Sequence, residues 1–426
     1  MKHDPFEEQE GARVNPSTEP TIGDIIDARL SRRALLKGLA ASGTFGLFGC
    51  GTMAASTGGG QDGSAPLAFT EVARTTDDRH HIAPGYNAQV LIRHGDPIRP
   101  GAPAYRPGQQ TGAEQEQQFG ADNDFIAFMP LPRGSRSSTR GLLGVNHENH
   151  RAVLSFPGVK NLADLTRQQC EVQMAAQGFS VIEVAKEGNT WRVVQNSPHN
   201  RRISANTEMR IAGPAAGHAR MRTPSDPSGT RVFGTFNNCA GGTTPWGTIL
   251  TAEENVQAYF YGNAGQGPEA ASRKRYGVAG RGRYEAWGRH FDRFNLDKEP
   301  NEPNRFGWIV EIDPYDPKST PVKRTALGRA ANECATHAVS HDGRVAFYSG
   351  DDARMEYVYK FVTEGRYDRA RPEANRDLLD RGTLYVARFE ANGKMRWLPL
   401  VHGQGPLTAA NECATHAVSH DGRVAF

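Results

Sequence analysis

No two of the five cysteines stand as a CxxC pair, so a zinc ribbon or a thioredoxin-like site has no support. Cys50, Cys170, Cys239, Cys334 and Cys413 also give no spacing from which to argue a disulfide framework. No apolar run is long enough for a stable membrane span. Charge of one sign is missing too: 50 basic against 47 acidic residues leave +3, too little to imply nucleic acid as a partner. Long amphipathic runs are few, while glycine (47) and proline (26) are plentiful, which disfavours a helical bundle. Neither a Gly-x-Ser-x-Gly elbow nor an Asp-Ser-Ala nucleophile is present, so a covalent serine mechanism is unsupported.

What is there begins with a polar, proline- and acid-rich stretch, 1–30, that reads as a disordered tail. In segment 31–56, Arg32-Arg33 precedes a weakly apolar run, 38–49, the pattern of a twin-arginine signal. That signal predicts passage through the twin-arginine export machinery to the periplasm or the extracellular space. Leu47-Phe48-Gly49-Cys50 resembles a lipoprotein box with Cys50 as the anchor, and cleavage near Ala54-Ala55-Ser56 is the alternative. Residues 57–66, rich in glycine and serine, read as a linker.

From residue 67 to 408 the pattern is one of short strands. Apolar runs recur at 89–92, 125–128, 141–145, 179–184, 191–194, 308–312, 344–348, 357–362, 383–389 and 395–398. Asp342-Gly343 and Asn392-Gly393 mark turns between them. The prediction is an all-β, β-propeller-like fold, incomplete as given, with a sandwich pair as the competing architecture. Residues 161–178 read as one inserted helix or lid. Residues 263–306, rich in glycine, arginine and aromatics without periodicity, read as a long surface excursion near the site.

Four stretches carry chemistry. They are Leu143-Gly144-Val145-Asn146-His147-Glu148; Asn200-Arg201-Arg202-Ile203, running on to Gly217-His218; Asn237-Asn238-Cys239-Ala240-Gly241-Gly242, running on to Glu253-Glu254-Asn255; and Glu333 with Ala335-Thr336-His337, followed by Gly350-Asp351-Asp352. Together they resemble the PhoX-type alkaline phosphatases over roughly residues 70–408. The resemblance implies a propeller that hydrolyses small-molecule phosphate monoesters outside the cytoplasm with a mixed iron and calcium cluster. It also implies Cys239 as an iron ligand, Glu254 and Glu333 as metal-ligand carboxylates, and Glu148 as a further one.

The residue chemistry agrees. A thiolate favours a transition metal and carboxylates favour calcium, so one cysteine amid scattered acids suits a mixed cluster. Strand alternation sends Glu253 and Glu254 to opposite faces, so only one of the pair is expected to be a ligand; the resemblance favours Glu254 and leaves Glu253 a supporting or structural role. Arg202 and Arg354 are the candidate phosphate contacts, with Arg201 beside them; surface ion pairs are the competing role for each. A packed, hydrogen-bonded role competes for His147, His337 and Trp246, and an exposed turn for Asp351-Asp352. A lone cysteine is also commonly no more than a buried thiol.

Residues 409–426 duplicate 330–347 without a change, and read as a recent duplication or a joining error rather than a propeller repeat. Before Glu333 the PhoX pattern has an aromatic-basic-His run, whereas Arg329-Ala330-Ala331-Asn332 stands here. Members of that family also continue well beyond this point, so the expectation is little or no phosphatase activity as given; separately, the chain is expected to be a monomer. A non-catalytic exported binding module, and a calcium-dependent lactonase or phosphotriesterase, are the competing functions. The second would work without Cys239.

Overall fold

The short β-branched and aromatic runs pair into three large sheets and one two-stranded ribbon in a computed structural model that describes residues 71–390, 392–401 and 404, with the backbone at 417–418 and 424–425. The tail 1–30, the twin-arginine segment with Cys50, the linker 57–66 and most of the second copy, 409–426, lie outside the described residues. The chain divides into two units, Met1–Tyr86 and Asn87–Phe426. Residues 71–86 of the first are largely exposed and form neither helix nor strand. Among the described residues no helix is long and apolar enough to cross a membrane.

The first sheet is a meander of β1 (Asn123–Pro130), β2 (Arg140–His147), β3 (Gly178–Glu187) and β4 (Thr190–Val193), with β5 (Arg201–Ile203) pairing the other half of β3. The second runs in the order β7 (Arg231–Phe233), β6 (Glu208–Ala212), β11 (Val322–Arg324), β10 (Ile309–Ile312), β9 (Ile249–Glu253), β8 (Asn238–Thr243). Only its β6/β11 pair is parallel. The third is a meander of β12 (Thr336–Val339), β13 (Arg344–Gly350), β14 (Val358–Arg366), β15 (Gly382–Phe389) and β16 (Met395–Pro399). The class is all-β, as the alternation implies. Strands β17 (Ala417–Val418) and β18 (Val424–Ala425) belong to the second copy. They pair Ala417 with Ala425 and Val418 with Val424, the register that Ala338–Ala346 and Val339–Val345 keep in the first.

Residues 161–178 contain the expected helix, Arg167–Ala176, opened by a capping box in which Thr166 and Gln169 each bond the other's backbone N–H. It buries Cys170, Val172 and Met174. Gly178 then turns the chain into β3 at φ +101, where a Cβ would lie 2.3 Å from the Ile203 carbonyl oxygen.

Two expectations are corrected. Residues 89–92 are not a strand: Gln89 donates its amide to the Trp191 carbonyl (2.7 Å) and accepts from the Trp191 N–H (3.1 Å), so a side chain replaces the ladder. Residues 263–306 are not a surface excursion. Trp287, Phe294 and Phe306 are fully buried there, and all three rings pack on Phe236. Aromatic content in that segment signals core rather than loop, since rings of this size carry much of a domain's burial.

Near the first sheet His147 and His150 are buried, and the rings of His94 and His150 lie 5.8 Å apart. Burial holds all three imidazoles below the ordinary value of 6.5, His150 down to about 3. As pH falls through about 6.5, the unfolded chain takes up protons that these folded sites refuse, so stability declines by up to about 1.4 kcal/mol per proton per pH unit. The imidazole NMR signals of His94, His147 and His150 are therefore expected to titrate only below the ordinary range. Rings that titrate near 6.5 would show that they are not buried neutral.

Candidate metal centre

Strand β8 forms an edge of the second sheet and lies against both of the other sheets. On one side Asn146 of β2 donates its amide to the carbonyls of Cys239 and Ala240, and its Oδ1 accepts from Thr251 Oγ1 at 2.7 Å. On the other side the Ala335 N–H donates to the Gly241 carbonyl at 3.1 Å, and the His337 ring meets the Thr243 carbonyl. Gly242 permits this approach, because a Cβ there would sit 2.0 Å from the Ala335 carbonyl oxygen. The glycine-rich run after Cys239 is thus a demand of packing.

Between Asn238 and Gly241 the β8/β9 register slips, so Cys239 and Ala240 oppose a single residue. A bulge of this kind re-aims a side chain. It turns Cys239 toward carboxylates from four chain segments. Asp124 of β1 and Glu148, just past β2, form one group with Cys239; Glu254, just past β9, and Glu333, just before β12, form another. Within each group the donor atoms lie within 4.8 Å of one another, and Cys239 is the shared corner. Its Sγ stands 3.4 Å from Asp124 Oδ2. Glu254 is buried and Asp124 exposed, so the cluster runs from the interior to the surface.

The four ligand candidates read from sequence, Cys239, Glu254, Glu333 and Glu148, are all brought together here. Asp124 was missed. No motif marks it, and only the contact of β1 with β8 gives it a place.

The electrostatics are those of crowded acids. Burial pushes Glu254 up to about 7, helped by the charges of Glu333, Glu148 and Asp352. Burial likewise raises Glu333 and Glu148, with neighbouring carboxylates adding to it. The Cys239 thiol is pushed up by burial, by its hydrogen bond with Glu333 and by the charge of Glu254. Bringing these groups together as anions costs free energy that a multivalent cation would offset. Asn149 donates to Glu148 Oε1 at 2.6 Å and Asn255 donates to Glu254 Oε1, so each amide fixes one carboxylate oxygen and leaves the other to the cluster. Asn149 in turn accepts from Tyr284 Oη at 2.7 Å, which links the 263–306 segment to the site.

Glu253 points the other way, as alternation requires. It is fully buried, bonded to Lys323 Nζ at 2.6 Å and to the N–H groups of Gly307 and Trp308. Trp246 is a packed residue whose Nε1 donates to Glu311 at 2.9 Å. His147 likewise packs, its Nε2 at 2.7 Å from Ser180 Oγ.

Arg202 is corrected. Its two terminal nitrogens donate to the carbonyls of Phe179, Ala175 and Gln177 and to Ser180 Oγ at 2.7–2.9 Å, and the residue is buried, so no phosphate can reach it. Arg201 is similarly occupied by the Asp313, Pro317 and Ser319 carbonyls. Arg354 is exposed, in the segment after Asp351 and Asp352, and Asp352 bears on Glu254 and Glu333.

A family model described as alkaline phosphatase PhoX matches residues 67–424. A solved structure, Pseudomonas fluorescens PhoX in complex with vanadate, a transition state analogue, is 43% identical with a TM-score of 0.73. That match covers 79% of this chain and 59% of the relative, so the chain spans less than two thirds of the relative's length. No match is found among curated proteins. A cysteine-centred acidic cluster on a three-sheet frame, in a chain matched by that model from residue 67 to 424, leaves one assignment: the chain belongs to the PhoX alkaline phosphatase family.

Proposed function

We propose that this chain is a metal-dependent phosphomonoesterase whose centre is the cluster around Cys239. The observation that carries the reading is the pair of ligand groups sharing that one thiol. Its donor set fits a mixed centre: the thiol suits iron, and the carboxylates Asp124, Glu148, Glu254 and Glu333 suit calcium. Bound there, such cations would neutralise phosphoryl charge and activate an oxygen nucleophile. The chain's own part is to hold carboxylates at fixed separations, through Asn149 and Asn255, and to keep Cys239 aimed by its bulge. Vanadate, bound in the Pseudomonas fluorescens relative as a transition state analogue, mimics a phosphoryl group in transfer and so favours phosphoester substrates here.

Arg354 is the remaining arginine candidate for the phosphate oxygens. The amino-terminal pattern supports export by the Arg32-Arg33 signal and work outside the cytoplasm, with a lipid anchor at Cys50 or cleavage near Ala54-Ala55-Ser56; the chain is proposed to act as a monomer. The reading is tested by p-nitrophenyl phosphate hydrolysis. Activity that disappears with chelator and returns on adding iron and calcium supports it. Hydrolysis indifferent to chelation, or a chain that takes up neither iron nor calcium, would count against it.

A further inference from the structure

Glu254 and Glu333 come from different sheets, and as like charges they repel. Something must hold them within 4.8 Å of Cys239 and of each other. The residue placed to do so is Asn332, buried at 1% exposure between them in the chain's contacts. Its backbone N–H donates to the Glu253 carbonyl at 3.1 Å, one residue before Glu254. Its amide N–H groups are shared among the carbonyls of Gly307 (3.0 Å), Ala330 (3.1 Å) and Glu253 (3.4 Å). Its Oδ1 accepts from Ser349 Oγ at 3.2 Å.

The neighbouring residues complete the stitch. The Glu333 N–H donates to the Gly350 carbonyl at 2.9 Å and the Asp352 N–H to the Ala331 carbonyl at 3.0 Å. Asn332 also forms an antiparallel bridge with Asp351. One buried amide thereby joins the end of β9, the 307 turn and the end of β13 at the point where both carboxylates leave the backbone.

We infer that Asn332 is a positioning residue that sets the separation of Glu254 and Glu333 and so tunes cation affinity at the Cys239 corner. The inference rests on the metal-centre reading proposed above. A side chain that orients ligands without touching the ion typically controls affinity by about 10–100-fold. Any buried asparagine also stabilises the fold, so a control is needed. Asn304 supplies it: also buried, its amide donates to the Arg220 carbonyl (3.1 Å) and Glu269 (2.9 Å), in a separate network.

The test titrates chelator-treated full-length protein with Co²⁺, reading the thiolate charge-transfer band of Cys239, and with Ca²⁺ by calorimetry. Asn332→Ala is expected to weaken binding about 10–100-fold. Asn304→Ala is expected to lower Tm while leaving both titrations within about twofold of wild type, the split a purely structural role would not give. Should Asn332→Ala fail to fold, Ser349→Ala keeps the amide but frees its oxygen, and a weakening of several-fold is expected. Wild-type titrations in Asn332→Ala, or in Ser349→Ala where only that variant folds, overturn the positioning role. Absence of cation binding in the wild type instead overturns the metal centre itself, and the inference with it.

Discussion

Replacing Cys239 with serine is expected to lower phosphatase activity by more than about 100-fold, because the two ligand groups share that single thiol. Residues that merely orient a ligand already carry about 10–100-fold of affinity, and Cys239 belongs to both groups at once. Serine keeps the shape, so the bulge between Asn238 and Gly241 survives, yet its hydroxyl lacks the affinity of a thiolate for a transition metal. Metal analysis of the same preparation should show iron falling before calcium. The companion variant Cys170→Ala alters a cysteine of the core helix and should leave metal content untouched. If Cys239→Ser keeps full activity with calcium alone, the centre belongs to a different hydrolase chemistry, of the lactonase or phosphotriesterase kind.

Lys323→Met should cost about 3–5 kcal/mol of stability, the range for removing one partner of a buried ion pair. Lys323 and Glu253 are both fully buried at 2.6 Å, and Lys323 Nζ also donates to the Arg305 carbonyl at 3.0 Å. Burial depresses the lysine to about 8, while Glu253 favours its charge. Methionine fills the space but strands a carboxylate at the end of β9. The double variant Lys323→Met with Glu253→Gln should regain most of the loss, since a neutral amide oxygen still accepts from the Gly307 and Trp308 N–H groups. Denaturant midpoints measure both. A single-variant loss below about 1 kcal/mol, the size of a solvated pair, would contradict the account. Because Glu254 follows Glu253 directly, this cost is borne beside the site.

What the residues disclosed in advance divides along physical lines. Period-two alternation and Asn-Gly turns made the all-β class legible, because they act within one strand or hairpin. Alternation also separated Glu253 from Glu254. Cys239 was legible through its glycines, whose purpose, the approach of Ala335 to Gly242, only the packed sheets reveal. Asp124 was not legible, since its link to Cys239 joins residues 115 positions apart on strands of different sheets. Arg202 looked like a phosphate ligand because a sequence displays charge but not burial. In the fold it ties the end of the Arg167–Ala176 helix to the start of β3. Residues 89–92 carried a strand pattern, but a side chain took the bonds a ladder would have made.

The central claim is that Cys239 and its carboxylates form a metal centre for phosphoryl chemistry. Anomalous scattering at the iron edge, from crystals of metal-loaded protein grown with vanadate, tests it most directly. The account predicts an iron peak in contact with Cys239 Sγ, with vanadate beside it. Iron bound elsewhere, or vanadate seated away from this cluster, would contradict it.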